Sequence, residues 1–186
     1  MKLLLTLLLY LTCSHLLAND GLADLSNYRQ YNETFSSSGQ PTSEHLKALA
    51  RQGYKRIVYL AYTDNDTAIH AEDRKVLELG MNYVHIPVDF MNPTLQDFQY
   101  FAAAMQTEPD RKTLLHCQIN LRASSFSFLY RIIHLNVPVG QALDDLQGVW
   151  APNEVWFDFI RAVAEHHDID LFCDGCDWGG SEFSAG

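Results

Sequence analysis

Short apolar runs alternate along this chain with segments whose apolar residues recur at helical spacing, and that alternation leaves few folds open. Arg56 to Tyr62 and Asn82 to Val88 read as strands, the first a compact β-rich run, and Thr113 to His116 reads as a third, shorter one. Between and around them lie helical patterns. Glu44 to Gln52 puts Leu46, Leu49 and Ala50 on one face, and Gly53 supplies the stop. Ala71 to Leu79 ends at Gly80, and Thr94 opens a helix striped by Leu95, Phe98, Phe101, Ala102 and Met105. Ser124 to His134 and a last helix capped by Asn153 complete the series. Strands separated by helices of this length require βαβ crossovers, so the expected fold is α/β with a mostly parallel central sheet flanked by helices. Ligands of such sheets sit at the carboxyl ends of the strands. Thr63-Asp64, Asp89 and Cys117 fall at those ends by this reading.

At 186 residues the chain is long enough for one domain with a full core. Its formal charge of −10 argues against nucleic acid and against anionic lipid, both of which attract basic surfaces. The N-terminus carries Lys2 followed by an apolar run from Leu3 to Leu11 and a small residue at Ala18. That pattern predicts a secretory signal peptide over residues 1–18, with cleavage after Ser14 as the alternative and a lipoprotein site at Cys13 the weaker one. The run is too short for a helix that stays in the membrane. The expectation is therefore an exported protein, periplasmic if bacterial, with a domain over 19–170 and a Cys/Gly/Ser-rich tail over 171–186.

Three cysteines remain after Cys13. Cys173-Asp-Gly-Cys176 lies in the tail, and an oxidising compartment favours a bond between its two thiols. Cys117 is left as the odd thiol, and the sequence around it is not neutral. From His116 the chain reads His-Cys-Gln-Ile-Asn-Leu-Arg-Ala-Ser, a strand end, a short polar loop and the entrance to a helix. Backbone N–H groups of Gln118, Ile119, Asn120 and Leu121, with the helix N-terminus, form an anion site. Arg122 is the planar bidentate partner for a tetrahedral oxyanion. The same positive surroundings favour the thiolate of Cys117, and Ser124 is placed to donate to its sulfur. The bland alternative is a structural cysteine before a helix-capping loop. Nothing in the sequence asks for a cofactor or a metal: a zinc site from Cys173, Cys176, His166 and His167 is disfavoured because adjacent helical histidines point apart.

At these residues the chain resembles the cysteine-based protein tyrosine and dual-specificity phosphatases, whose signature is His-Cys-x5-Arg-Ser/Thr. More closely it resembles a bacterial phosphatase-like family that shows Gly-Gln-Pro, then Val-Asp followed by Asn-Pro-Thr, then His-Cys-x4-Arg-x-Ser. Here these stand as Gly39-Gln40-Pro41, as Val88-Asp89 with Asn92-Pro93-Thr94, and as His116-Cys117 through Arg122 and Ser124. The likeness runs from Gly39 to Arg161. It implies a protein-tyrosine-phosphatase-like fold and hydrolysis of phosphomonoesters, free or on a phosphoprotein. It also implies a nucleophile at Cys117, oxyanion binding by Arg122, a general acid at Asp89 on a loop able to move, and a His116 that orients the loop and supports the thiolate by hydrogen bonding. The loop departs from the wider signature, with four residues between Cys117 and Arg122 and no glycine among them. Asn120 tolerates a left-handed backbone and can partly substitute.

Two other functions stay open. A sulfurtransferase of the rhodanese kind carries a loop of this shorter length, though it needs no acid at Asp89. A catalytically weak module that captures phosphate or a phosphoprotein would keep Arg122 and tolerate loss of the thiol. Cys173 or Cys176 resolving an oxidised Cys117 is a further redox possibility.

Overall fold

The computed structural model describes residues 21–179, so the expected signal peptide and the end of the tail lie outside the described residues. Five strands and six helices follow one another there: β1 (Arg29–Gln30), β2 (Phe35–Ser38), α1 (Ser43–Arg51), β3 (Arg56–Tyr59), α2 (Glu72–Glu78), β4 (Asn82–His85), α3 (Leu95–Thr107), β5 (Thr113–His116), α4 (Leu121–His134), α5 (Val139–Gln147) and α6 (Glu154–His166). They build one sheet in the order β1-β2-β5-β3-β4. β2, β5, β3 and β4 run parallel, and β1 closes one edge antiparallel to β2. The α/β architecture expected from the alternation is the one observed.

The strands alternate their side chains between two apolar layers, as a pleated sheet requires. Ile57 and Leu114 pack with Leu46 and Leu49 of α1 and Val76 of α2. Val58 and Leu115 face the larger layer, where Phe98 and Phe101 of α3 meet Phe126 of α4 and Trp156 of α6. β5 lies between β2 and β3, with His116 opposite both Ser38 and Tyr59. Cys117 therefore leaves the sheet from its centre, at the carboxyl ends of parallel neighbours, where ligands of such sheets bind.

Several elements differ from the sequence reading. β3 and β4 stop at Tyr59 and His85, short of Tyr62 and Val88, because the central partner β5 itself ends at His116. α4 begins at Leu121 rather than Ser124, so the helix takes in Arg122. β2 was not expected, since Phe35-Ser36-Ser37-Ser38 has one apolar residue. Its buried serines are satisfied by tyrosines: Ser36 Oγ and Tyr54 Oη lie 2.7 Å apart, as do Ser37 Oγ and Tyr31 Oη. α5 follows Pro138 and buries Ala142, Leu143 and Leu146, a stripe the sequence reading passed over. The two expected caps form: Thr94 Oγ1 accepts from Asp97 N–H and Asn153 Oδ1 from Trp156 N–H.

Cys173 and Cys176 are joined by a disulfide. Beyond residue 170 the chain still contributes to the main core through Leu171 and Trp178. No helix among the described residues is long and apolar enough to cross a membrane.

Candidate active site

Cys117 is a free thiol, 1% exposed, at the point where β5 ends. Its own N–H donates to Ser38 O at 3.3 Å, continuing the ladder with β2 by one residue. The chain then turns through Gln118, Ile119 and Asn120 into α4. Asn120 makes the turn with φ 76°, the left-handed conformation anticipated for it. Among the described residues, the main-chain N–H groups of 118, 119 and 121–123 donate to no acceptor, while that of Asn120 is drawn toward Ser38 O in the bridge between Gly39 and Ile119. Five unengaged donors around a strand-to-helix turn, three of them in the first turn of a fourteen-residue helix, form a surface ready for an oxyanion.

The loop has no glycine, and its close approach to neighbouring backbone is achieved from the other side. Gly39 forms an isolated antiparallel bridge with Ile119, and Gln40 N–H donates to Gln118 O at 2.9 Å. A Cβ on Gly39 would lie 2.9 Å from Gln118 O and 3.1 Å from Ile119 Cα, so only glycine fits there. Asn27 adds a second tie: its Nδ2 donates to Ile119 O at 2.9 Å, and its own carbonyl accepts from Asn120 Nδ2 at 2.7 Å. Sequence reasoning missed Asn27 altogether, because the partners are 92 and 93 residues apart.

Arg122 is 7% exposed and already oriented. Nε donates to Val88 O at 3.1 Å, Nη1 to Gln118 Oε1 at 3.2 Å, and the guanidinium lies 5.1 Å from the Phe90 ring centre. Nη2 makes no hydrogen bond among the described residues and is the guanidinium nitrogen left for a ligand. The bond to Val88 O also brings the segment carrying Asp89 against the nucleophile loop. Asp89 itself is exposed, and its Oδ1 accepts from Met91 N–H at 2.9 Å in a local turn. Ser124 is buried with its hydroxyl donating to Leu121 O at 3.1 Å, so that proton is directed at the backbone and not at the sulfur. Leu121 is half-buried, and Ile119 is 49% exposed beside the loop.

His116 is fully buried and stacks on Tyr59 with ring centres 4.6 Å apart. Its Nε2 stands 3.1 Å from Glu72 Oε1, at ion-pair distance though without hydrogen-bond alignment. Burial pushes the Tyr59 hydroxyl above its ordinary range, and the charges of Glu72 and Cys117 push the same way. Tyr59 is thus a neutral wall of the site.

Comparison with known proteins agrees with this geometry. A family model described as "DSP-PTPase phosphatase fused to NAD+ Kinase" matches residues 18–147. The chain belongs to this phosphatase family. A DUF442 protein of Shewanella putrefaciens CN-32 superimposes with a TM-score of 0.73 at 28% identity, over 79% of this chain and 97% of that one. TpbA of P. aeruginosa shares the fold, with a TM-score of 0.59 at 19% identity over 74% of this chain and 84% of its own. The "Beta-lactamase hydrolase-like protein" of Xylella fastidiosa is 30% identical over 105 residues, 55% of this chain. That stretch is 24% of the curated relative, so this chain corresponds to about a quarter of its length.

As a member of this family, the chain carries the fold and the Cys-x4-Arg loop of a protein tyrosine and dual-specificity phosphatase-like domain. In that light the Gly-Gln-Pro segment has a physical role: it supplies the glycine that the shortened Cys-x4-Arg loop lacks.

Proposed function

We propose that the chain is an exported cysteine-dependent phosphatase working through a phosphocysteine intermediate, at a turnover lowered by its short loop. The observation that carries this reading is the cradle of unengaged N–H groups of 118, 119 and 121–123, opening directly after a buried thiol and backed by the Arg122 guanidinium. The thiolate of Cys117 attacks phosphorus, and the N–H cradle with Arg122 Nη2 holds the oxygens that carry the developing charge. Asp89 rotates out of its Met91 turn and gives its proton to the leaving oxygen. Water then gives a proton to the Asp89 carboxylate and attacks phosphorus, breaking the S–P bond, releasing inorganic phosphate and restoring the thiolate. Lowered turnover follows from Arg122, whose Nε is committed to Val88 O, leaving a single terminal nitrogen instead of a bidentate fork.

The test is phosphate release from p-nitrophenyl phosphate by wild type, Cys117→Ser and Asp89→Ala under reducing conditions, with acid-quench trapping of the phosphoenzyme. Turnover lost in Cys117→Ser, and phosphoenzyme accumulating on Cys117, supports the reading. No turnover and no phosphoenzyme, with inorganic phosphate still bound, moves the chain to a phosphate-capturing module. Thiocyanate formation from thiosulfate and cyanide would instead point to sulfur transfer. Export is tested separately, by N-terminal sequencing of the protein from a periplasmic fraction, where a start at Asn19 is expected.

A further inference from the structure

Glu72 belongs to none of the motifs that carry the family resemblance, yet it is the buried charge nearest the nucleophile's neighbour. It is 5% exposed at the first position of α2, directly after Ala71 at φ 53°. One carboxylate oxygen accepts from Gln40 Nε2 at 3.0 Å; the other faces His116 Nε2 at 3.1 Å. Gln40 also ties the loop through its N–H to Gln118 O, and His116 immediately precedes Cys117 in the chain.

A carboxylate removed from water needs a cation or several donors, or it takes up a proton. The charged and titratable groups around Glu72 and His116 are few. Tyr59 lies on β3, Tyr83 and His85 on β4, Asp73 beside Glu72 on α2, and Cys117 with Arg122 follows β5. Burial drives the hydroxyls of Tyr59 and Tyr83 upward, with the Glu72 charge adding to it, so both phenols stay neutral. Arg122 is bound to Val88 O and Gln118, and His85 Nε2 to Ala61 O at 2.8 Å. Among the described residues, His116 alone sits within ion-pair reach of the carboxylate. On its other side the carboxylate borders an open cavity of about 640 Å³ lined also by Thr63, His70, Asp73 and Tyr83, a route for water and protons.

Resting on the reading of Cys117 as nucleophile, we infer that Glu72 is a positioning residue of the reaction: it holds His116 as an imidazolium beside the thiolate. A cation on the residue adjoining the nucleophile favours the reactive anion, and the Gln40 hydrogen bond fixes the carboxylate that keeps the cation charged. Glu72 touches neither substrate nor phosphorus. Glu72→Gln is nearly isosteric, so a merely structural role would leave reactivity unchanged.

Two measurements decide it, and neither needs turnover. In wild type, the ring ¹⁵N shifts of His116 at neutral pH should be those of an imidazolium; a neutral ring overturns the inference. The rate of Cys117 alkylation by iodoacetamide, followed against pH, should move its midpoint up by about one unit in Glu72→Gln, roughly tenfold less thiolate on the acid side. Glu72→Asp should recover part of that shift, and Glu72→Gln in a His116→Asn background should add nothing. An alkylation midpoint identical in wild type and Glu72→Gln refutes the proposal. Should Glu72→Gln fail to fold, the histidine shifts of wild type stand alone as the deciding result. Failure of the phosphatase reading would show separately, as absent phosphoenzyme in a protein whose His116 is still charged.

Discussion

Asn120 and Gly39 show what single positions do for the nucleophile loop. Asn120 adopts φ 76° and ties its amide nitrogen to Asn27 O, so it combines a glycine's backbone with a side-chain anchor. Asn120→Gly keeps the backbone and loses the anchor, a cost of about 1 kcal/mol. Asn120→Ala loses the anchor and adds left-handed strain of about 1–2 kcal/mol more. Urea denaturation of the two variants should therefore rank glycine as the milder change. Gly39→Ala acts on geometry instead. Its Cβ meets Gln118 O at 2.9 Å, and the loop has to retreat by several tenths of an ångström. Displacement on that scale at a reacting centre lowers kcat, by up to about a hundredfold, while melting temperature changes little. A Gly39→Ala enzyme with wild-type kcat would show that the close approach is incidental. Both residues could be singled out in the sequence, Asn120 for its tolerance of positive φ and Gly39 as part of a motif. Asn27 and Glu72 could not, because neither residue type nor local pattern marks a partner that only the fold brings near.

At the scale of elements, helices were more legible than strands. Amphipathic stripes and caps persist whatever the helix packs against, so α1, α3 and α6 lie close to where periodicity puts them. Strand ends depend on the neighbour across the ladder, and a strand of three serines has no apolar signal at all. The packing of helix on helix also creates a pH response. His134 at the end of α4 and His167 after α6 stand with ring centres 6.0 Å apart, His134 stacked on Phe98. Burial lowers the proton affinity of both; next, His167 acts against His134 and His166 against His167, while Asp168 partly offsets the latter. A depressed folded-state value means the unfolded chain binds the proton more readily. The stabilising contribution is then whole above about pH 6.5, the ordinary histidine value, and is lost as pH falls below it. Thermal unfolding between pH 7.5 and 5.5 should show a steeper loss in wild type than in His134→Gln/His167→Gln. Equal slopes would remove this pair as the cause.

Across the whole molecule, the described part of the tail is held by core packing as well as by its disulfide. Trp178 is 5% exposed against Phe128 of α4 and Phe157 of α6, and its Nε1 donates to Leu171 O at 3.2 Å. Truncating a buried aromatic of this kind costs about 3–5 kcal/mol. Trp178→Ala should therefore lower the urea midpoint more than reduction of Cys173–Cys176, whose three-residue separation closes a short loop worth about 2 kcal/mol. The reverse order would mean that the disulfide, not the indole, seats the tail.

The sequence by itself determined the class of fold and the family and marked out the Cys117 loop, since all three are written in local order: alternating periods, contiguous motifs, a cysteine and an arginine with four residues between them. Tertiary structure decided how that loop is made to work. Gly39, Asn27 and Gln40 brace it from the far side of the sheet, Val88 turns the Arg122 guanidinium, and Glu72 stands behind His116. Periodicity reports which face of an element is apolar, whereas hydrogen bonds and ion pairs between segments 30 to 90 residues apart exist only once the sheet order has been chosen.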